Sequence, residues 1–310
     1  MTVIDVANDT DAPVRCAPWT RGQGVDPIGS IGCPQAYLFV EWPLPWPHDM
    51  GEVPELAEIR PDLEAAGARL QGLVPLEAAS GRRRVILYSR PDGPFTRFAG
   101  REMVVEPADV PAAARRLLGG EGDEVAAGAR TDVMVCTHGR RDRCCGSLGT
   151  TLAMSLLADP GALGPGVQIR RTSHTGGHRF APTAMVFPEG TAWAFADAEL
   201  LGRVVGRGGP VTEVLDSYRG GSGMGSPRIQ VLEREVLREV GWDLLDRPRW
   251  GREEPDGTIV LYVEGPDGTE VWEGRVSAGR VLPVPDCGSP VAEARKTNTE
   301  FVLEGLRRRP

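Results

Sequence analysis

Residues 133–188 decide the fold and the site of this chain: VMVCTHGRRDRCCGSLGTTLAMSLLADPGALGPGVQIRRTSHTGGHRFAPTAMVFP. The stretch holds three of the four histidines and three of the six cysteines. They follow two apolar strand-like runs, TDVMV and GVQIRRTS, each of which leads into a glycine-containing loop. If the two strands are neighbours in one sheet, their loops meet at the same edge. The sequence therefore predicts a site for a metal ion or a metal cluster there.

Four residues of this stretch are the candidate ligands. Eight residues separate Cys136 from Cys145, and three separate His174 from His178. Two thiolates and two imidazoles suit either a tetrahedral Zn²⁺ or an iron–sulfur cluster with cysteines on one iron and histidines on the other. The spacing does not decide between them, although an eight-residue gap is unlike the short knuckles of structural zinc sites. A two-iron cluster is larger than one ion, which suits ligands spread over two loops.

Neighbouring residues extend this candidate site. Gly176 and Gly177 predict a loop between the histidines, and they let the backbone pass close to a cluster. His138 and Cys144 are alternative ligands or hydrogen-bond partners of the ligands. Three arginines lie between the cysteines, namely Arg140, Arg141 and Arg143. Their positive charge near the thiolates lowers thiol pKa values. Two alternatives need no metal. The arginines could form a solvated basic loop, and the two histidines could belong to a tight turn in which one is capped and the other is buried.

The order of predicted elements indicates an α/β fold. Over 126–218 the order β-α-β, then β-β-α, is typical of a thioredoxin-like mixed sheet with flanking helices. The first half of the chain repeats a similar order, which predicts two related α/β units, and helical spacing of apolar residues predicts a helix over 53–73. The predicted parts are a lead-in (1–24), an N-terminal α/β unit (25–125), the thioredoxin-like domain (126–218), a glycine-rich linker (219–228) and a small α+β accessory domain (229–310).

Composition and charge narrow the function classes. The net charge of -8 and the pI near 5.2 argue against nucleic acid or an acidic membrane as the main partner. The N-terminus lacks the pattern of a signal peptide and no run is long enough to span a bilayer, so we expect a cytoplasmic protein. Six cysteines are too few for a disulfide framework. Cys16, Cys33 and Cys287 stand alone, and each is predicted to be an incidental or buried thiol.

Several segments closely resemble the sucrase/ferredoxin-like family. The most specific are CTHGRRDRCCG (136–146) and SHTGGHRFAPTAMVFPEG (173–190), and EWPLPW (41–46) and SYRGGSG (217–223) extend the resemblance over about 30–225. The resemblance implies a thioredoxin-like ferredoxin with a bis-histidine [2Fe–2S] cluster. The family pattern maps onto Cys136, Cys145, His174 and His178. Sucrose hydrolysis, which the family name suggests, has no support, because no pair of carboxylates is marked out by its surroundings.

We therefore expect an electron carrier rather than an enzyme with its own substrate. Cys136 and Cys145 are expected to hold the buried iron, and His174 and His178 the outer iron that is reduced. Neutral imidazoles raise the potential, and their free nitrogens couple reduction to protonation. Since no nicotinamide or flavin site is recognisable, a separate reductase and acceptor are expected partners. The alternatives are a structural Cys₂His₂ zinc module and a metal-free thiol oxidoreductase that uses Cys136, Cys144 or Cys145.

Overall fold

The computed structural model describes residues 11–76, 81–125, 130–159 and 161–309. These residues form a ten-stranded mixed sheet with flanking helices and a separate four-stranded antiparallel sheet. The predicted α/β class with a small α+β C-terminal part is therefore confirmed. A short helix, α1 (Cys16–Gly22), lies within the predicted lead-in, whose first ten residues fall outside the described part of the chain.

The large sheet is built from two units with the same element order. The first contains β1 (Ala36–Glu41), α2 (Pro54–Ala57), α3 (Arg60–Ala65), β2 (Ala68–Leu73), β3 (Arg83–Ser89), β4 (Ala99–Val105), α4 (Val110–Leu118) and β5 (Asp123–Val125). The second contains β6 (Thr131–Cys136), α5 (Thr150–Ala158), β7 (Val167–Thr172), β8 (Ala184–Phe187), β9 (Thr191–Trp193), α6 (Ala198–Gly206) and β10 (Tyr218–Gly221). In space the strands run β2-β1-β3-β4-β5 and β7-β6-β8-β9-β10.

Strand directions match between the two units as well. β1 and β2 are parallel, as are β6 and β7, and the remaining strands of each unit add in antiparallel fashion. An antiparallel contact between β2 and β7, at Leu73 and Thr172, joins the units into one sheet. β1 is buried along its whole length, as expected for a strand covered on both faces. The chain thus carries two copies of the predicted thioredoxin-like order.

One predicted helix is only partly helical. The apolar spacing over 53–73 predicts a helix interrupted near Pro61, but the last helical residues are those of α3, and Ala68–Leu73 forms strand β2. The break comes at Gly67, whose φ of 58° lies in the left-handed region that glycine adopts without strain. The strand pairs in parallel with β1, so its apolar residues are buried in the sheet and not on the face of a helix.

The linker over 219–228 stays a prediction as a domain boundary, but much of the segment is ordered in the sheet and the next helix. Gly220 and Gly221 belong to β10, and the segment ends inside α7 (Pro227–Val240). A Cβ atom on Gly220 would lie 2.7 Å from Cδ of Gln230, and one on Gly221 would lie 2.9 Å from the Glu233 carboxylate. These glycines let α7 pack closely on the strand, which explains their presence without a flexible linker.

The C-terminal part continues from α7 into the second sheet. Its strands are β11 (Arg249–Glu253), β12 (Thr258–Gly265), β13 (Gly268–Val284) and β14 (Lys296–Arg308). The longest of these strands is β13, which runs without a break from Gly268 to Val284. The domain boundaries stay a prediction, and the one at 125–126 borders residues 126–129, which lie outside the described residues.

A buried ion pair connects this C-terminal part to the large sheet. Nε of Arg249 donates to Glu233 at 2.9 Å, and both side chains are fully buried. The same carboxylate accepts hydrogen bonds from the Tyr218 hydroxyl and the Gly221 amide, each at 3.0 Å. Among the described residues, no helix combines the length and apolar character that crossing a bilayer requires.

Candidate metal centre

The topology brings the two predicted ligand loops to one sheet edge. β6 and β7 are parallel neighbours, and Cys136, the last residue of β6, pairs with Thr172, the last residue of β7. His174 follows two residues later. Parallel neighbours end on the same side of a sheet, so the loops after them lie next to each other. The predicted convergence of these loops follows directly from this pairing.

Three of the four predicted ligands form one group. The ligand atoms of Cys136, Cys145 and His174 all lie within 4.8 Å of one another. Both cysteines are buried, whereas the histidine is half-buried at the surface. Nδ1 of His174 is buried and has no hydrogen-bond partner among the described residues. A buried polar nitrogen beside two thiols, without a partner, is the environment that a metal ion or cluster would complete.

The two thiols of this group shift each other's pKa in opposite directions. A hydrogen bond from Cys145 and the nearby His174 ring hold the pKa of Cys136 well below its usual range, although burial opposes the shift. The same hydrogen bond and burial raise the pKa of Cys145. Thiolates rather than thiols are the metal ligands, so a lowered pKa of Cys136 favours metal binding.

Glycines make the tight loop around these cysteines possible. A Cβ on Gly149 would lie 1.9 Å from the carbonyl oxygen of Cys136, and one on Gly146 would lie 2.3 Å from Cα of Gly139. Residues 145–149 form a π-helical turn that leads into α5. Side chains at these positions would push the cysteine loop away from the end of β6.

His178 lies apart from the three-residue group. Its Nδ1 is 3.1 Å from Oδ2 of Asp142 and 3.4 Å from Sγ of Cys16, and its ring centroid is 6.3 Å from that of His174. Gly177, with a φ of 68°, precedes it. Hydrogen bonds from His178 and from backbone amides lower the pKa of Asp142 against the opposing effect of burial. The acid is therefore an anionic partner for the ring.

The backbone around the histidines is held by residues that the motif did not reveal. Nη2 of Arg69 donates to the carbonyl oxygen of His174 at 3.0 Å, and Nε2 of Gln71 donates to it at 3.2 Å. The buried guanidinium of Arg219 lies so close to Gly177 that a Cβ there would sit 2.5 Å from Nη2. Arg69 and Gln71 lie on β2, the strand that the sequence predicted as helix.

The other predicted neighbours occupy different places. His138 is buried against the Trp46 ring, and its Nε2 lies 2.8 Å from the Pro47 carbonyl oxygen. Burial lowers the pKa of this histidine. Arg141 donates to Nδ1 of His48 at 2.9 Å. Three arginines of the loop are exposed to solvent: Arg140, Arg141 and Arg143. The lowered pKa of Cys136 arises instead from its thiol and imidazole neighbours.

The vicinal cysteines point to different groups. Cys145 belongs with Cys136 and His174, whereas Cys144 belongs to a second group. That group consists of Cys16, Asp142, Cys144 and Cys287, whose ligand atoms also lie within 4.8 Å of one another. Cys16 is buried, as predicted, but neither Cys16 nor Cys287 is isolated from the other cysteines in space. No spacing signal in the sequence could have found them, because they lie 128 and 143 positions away from Cys144.

Comparison with known families finds a match over the central part of the chain. A family model described as sucrase/ferredoxin-like matches residues 27–220, which is more than half of the chain. The match includes the ten strands of the large sheet up to Gly220 and all three residues of the first group. It excludes Cys16 and Cys287. No curated protein and no solved structure matches the chain.

Proposed function

Since this chain belongs to the sucrase/ferredoxin-like family, we propose that it is an electron-transfer protein carrying one [2Fe–2S] cluster. Cys136, Cys145, His174 and His178 are the proposed ligands. The observation that carries the proposal is the convergence of two buried thiols and an unpartnered histidine nitrogen at one sheet edge. The donor types suit such a cluster, in which two histidines replace two of the usual four cysteines.

The burial of the ligands supports a division of roles between them. The cysteines are inside the protein, and both histidines are partly exposed, with 21% of the His178 side chain accessible. The cysteine side would hold the buried iron, and the histidine side the iron nearer to solvent. Bound in this way, the cluster supplies a site that accepts and returns one electron. His174 also borders an open groove of about 390 Å³, which is where we expect a separate donor or acceptor to approach.

Asp142 orients His178 for this role. With its carboxylate 3.1 Å from Nδ1, the acid holds the ring proton on that atom and leaves Nε2 free to bind iron. Metal-bound histidines commonly donate their second nitrogen to a carboxylate in this way. Reduction adds negative charge to the cluster and so favours binding of a proton by its imidazole ligands, and the potential is therefore expected to fall as pH rises.

Metal analysis of anaerobically purified protein tests the proposal. We expect two irons and two acid-labile sulfides per chain, with a visible spectrum that bleaches on addition of dithionite. Zinc bound by these ligands, without sulfide, would instead select the structural Cys₂His₂ module. Redox activity that is lost on thiol alkylation, in protein without iron, would select the thiol oxidoreductase.

Replacing His174 by cysteine is expected to lower the midpoint potential by on the order of 100 mV. The thiolate adds negative charge to the cluster, which stabilises the oxidised form relative to the reduced one. A potentiometric titration followed by visible absorbance measures the change. His48→Cys is the matched control, because His48 is exposed and contacts Arg141 rather than the thiols. Equal potentials in wild type and His174→Cys would remove His174 from the ligand set.

A further inference from the structure

Three thiols from distant parts of the chain meet beside the first group. Sγ of Cys287 lies 3.1 Å from Sγ of Cys144 and 3.3 Å from Sγ of Cys16. Cys16 and Cys144 are fully buried, and Cys287 is half-buried. The carboxylate of Asp142 completes the group, with Oδ2 3.5 Å from Sγ of Cys16. Four potential donor groups thus face one centre.

Backbone pairing holds the two outer cysteines in place. Val14 donates its amide to the carbonyl oxygen of Ser289 at 3.1 Å and accepts from the Gly288 amide at 2.8 Å. This short antiparallel contact places Cys16 opposite Cys287, and the amide of Cys16 donates to Sγ of Cys287 at 3.3 Å. The thiols are therefore brought together by main-chain structure, and an amide already faces one sulfur.

The number of donors distinguishes a metal site from a disulfide. A disulfide would use two of the three thiols and leave the third buried and unpaired. A tetrahedral zinc site takes four donors, and Zn–S bonds of about 2.3 Å place its sulfurs roughly 3.8 Å apart. The observed separations of 3.1 and 3.3 Å need only a small expansion to reach that value. A four-iron cluster would hold its sulfur ligands farther apart, and the close approach of these thiols does not require it.

We propose that Cys16, Cys144, Cys287 and Asp142 form a second metal site that binds one Zn²⁺. It is a structural site that ties the N-terminal and C-terminal segments, both outside the family match, to the loop between the two family cysteines. The inference does not depend on the proposed function, because it uses none of the four proposed cluster ligands.

The electrostatics of the group suit a dication. Hydrogen bonds from the Cys16 and Cys287 thiols lower the pKa of Cys144 well below its usual range, which adds to the geometric case for a cation here. The Arg15 guanidinium donates to the Ser147 hydroxyl and lies near Cys144, whose thiolate raises the pKa of that arginine. Four anionic donors around one dication leave two negative charges, of which this arginine offsets one.

Asp142 would connect the two sites. Its Oδ1 accepts the amides of Cys144 and Cys145 at 2.7 and 3.2 Å, while Oδ2 faces both Cys16 and His178. A carboxylate has lone pairs enough for all of these partners. Zinc binding would therefore fix the carboxylate that orients His178, so the structural ion and the histidine ligand share one side chain.

Zinc and iron counts in matched variants test the second site. The full chain is expressed with both metals supplied, purified anaerobically with a reductant, and measured by mass spectrometry of the metals with an assay of acid-labile sulfide. We expect one zinc per wild-type chain, and at least a fivefold loss of zinc with unchanged iron in Cys287→Ser. Cys33→Ser is the control, because its thiol contacts Ile31 and Gln230, away from both groups.

Each other result overturns the second site. Wild-type protein that binds no zinc, or Cys287→Ser that keeps it, removes the site. If the intact protein is two hydrogens lighter than the sequence mass, and digestion yields Cys144 and Cys287 linked to each other, the group is a disulfide and not a metal site. Zinc that is lost in Cys136→Ser but kept in Cys287→Ser belongs to the first group. Should Cys287→Ser fail to fold, X-ray absorption of zinc in the wild type decides, since three sulfurs and one oxygen are expected.

If iron and sulfide are absent but Cys287→Ser still removes one zinc, the second site holds and the proposed electron-transfer function fails.

Discussion

Cys145→Ser is expected to purify without iron, sulfide or visible colour, whereas Cys144→Ser keeps all three. The two residues are adjacent in sequence, but only Cys145 lies with Cys136 and His174. A serine hydroxyl stays protonated at neutral pH and is a poor ligand for iron, so its substitution removes one of the two thiolates on the buried iron. We expect more than a tenfold loss of bound iron in Cys145→Ser, measured as iron and sulfide per chain.

Cys144→Ser is the matched control, since it changes the same atom one residue away. It should lose zinc from the second site while its visible spectrum stays that of the wild type. Circular dichroism establishes that both variants are folded. Loss of iron in Cys144→Ser with retention in Cys145→Ser would reverse the assignment of the two sulfurs. If both variants kept their iron, neither Cys144 nor Cys145 would be a ligand of the cluster.

Arg249→Met is expected to lower the free energy of unfolding by about 3–5 kcal/mol. The substitution leaves the Glu233 carboxylate fully buried without its cationic partner, although Tyr218 and Gly221 still donate to it. Because this pair joins β11 to α7 and α7 packs on β10, the loss weakens the contact between the two sheets. Chemical denaturation followed by circular dichroism measures the change.

Arg275→Met provides the comparison for that prediction. Arg275 pairs with Asp256 at 3.1 Å, but 61% and 63% of these side chains are exposed. Solvent screens such a pair, so its loss should leave the denaturation midpoint where it is. An Arg249→Met protein as stable as Arg275→Met would show that the buried pair makes no net contribution.

Much of the second unit could be predicted from local sequence. The apolar runs of β6 and β7, the helix α5 between them and the hairpin β8–β9 all follow from residue type and turn signals. The first ligand group follows from these elements, because Cys136 and His174 stand where the two parallel strands end. Here the local pattern and the tertiary structure agree.

The features that sequence analysis missed depend on contacts between residues that are far apart in the chain. β2 has helical apolar spacing, and only its pairing with β1 makes it a strand. Gly220 and Gly221 have a linker composition, but their lack of side chains serves the packing of α7. Nothing near Cys16 or Cys287 in sequence indicates a ligand, because their partners lie more than 120 residues away. Asp142 likewise gains its role only from the position of His178.

The electron paramagnetic resonance spectrum of the dithionite-reduced protein tests the central claim most directly. It reports whether the two irons are held by two sulfur and two nitrogen donors, since replacement of thiolates by imidazoles lowers the average g value of a reduced [2Fe–2S] centre. We predict a rhombic signal with a low average g value in the wild type and in Cys144→Ser. A signal of the all-cysteine type, or no signal from protein that contains zinc in place of iron, would contradict the account.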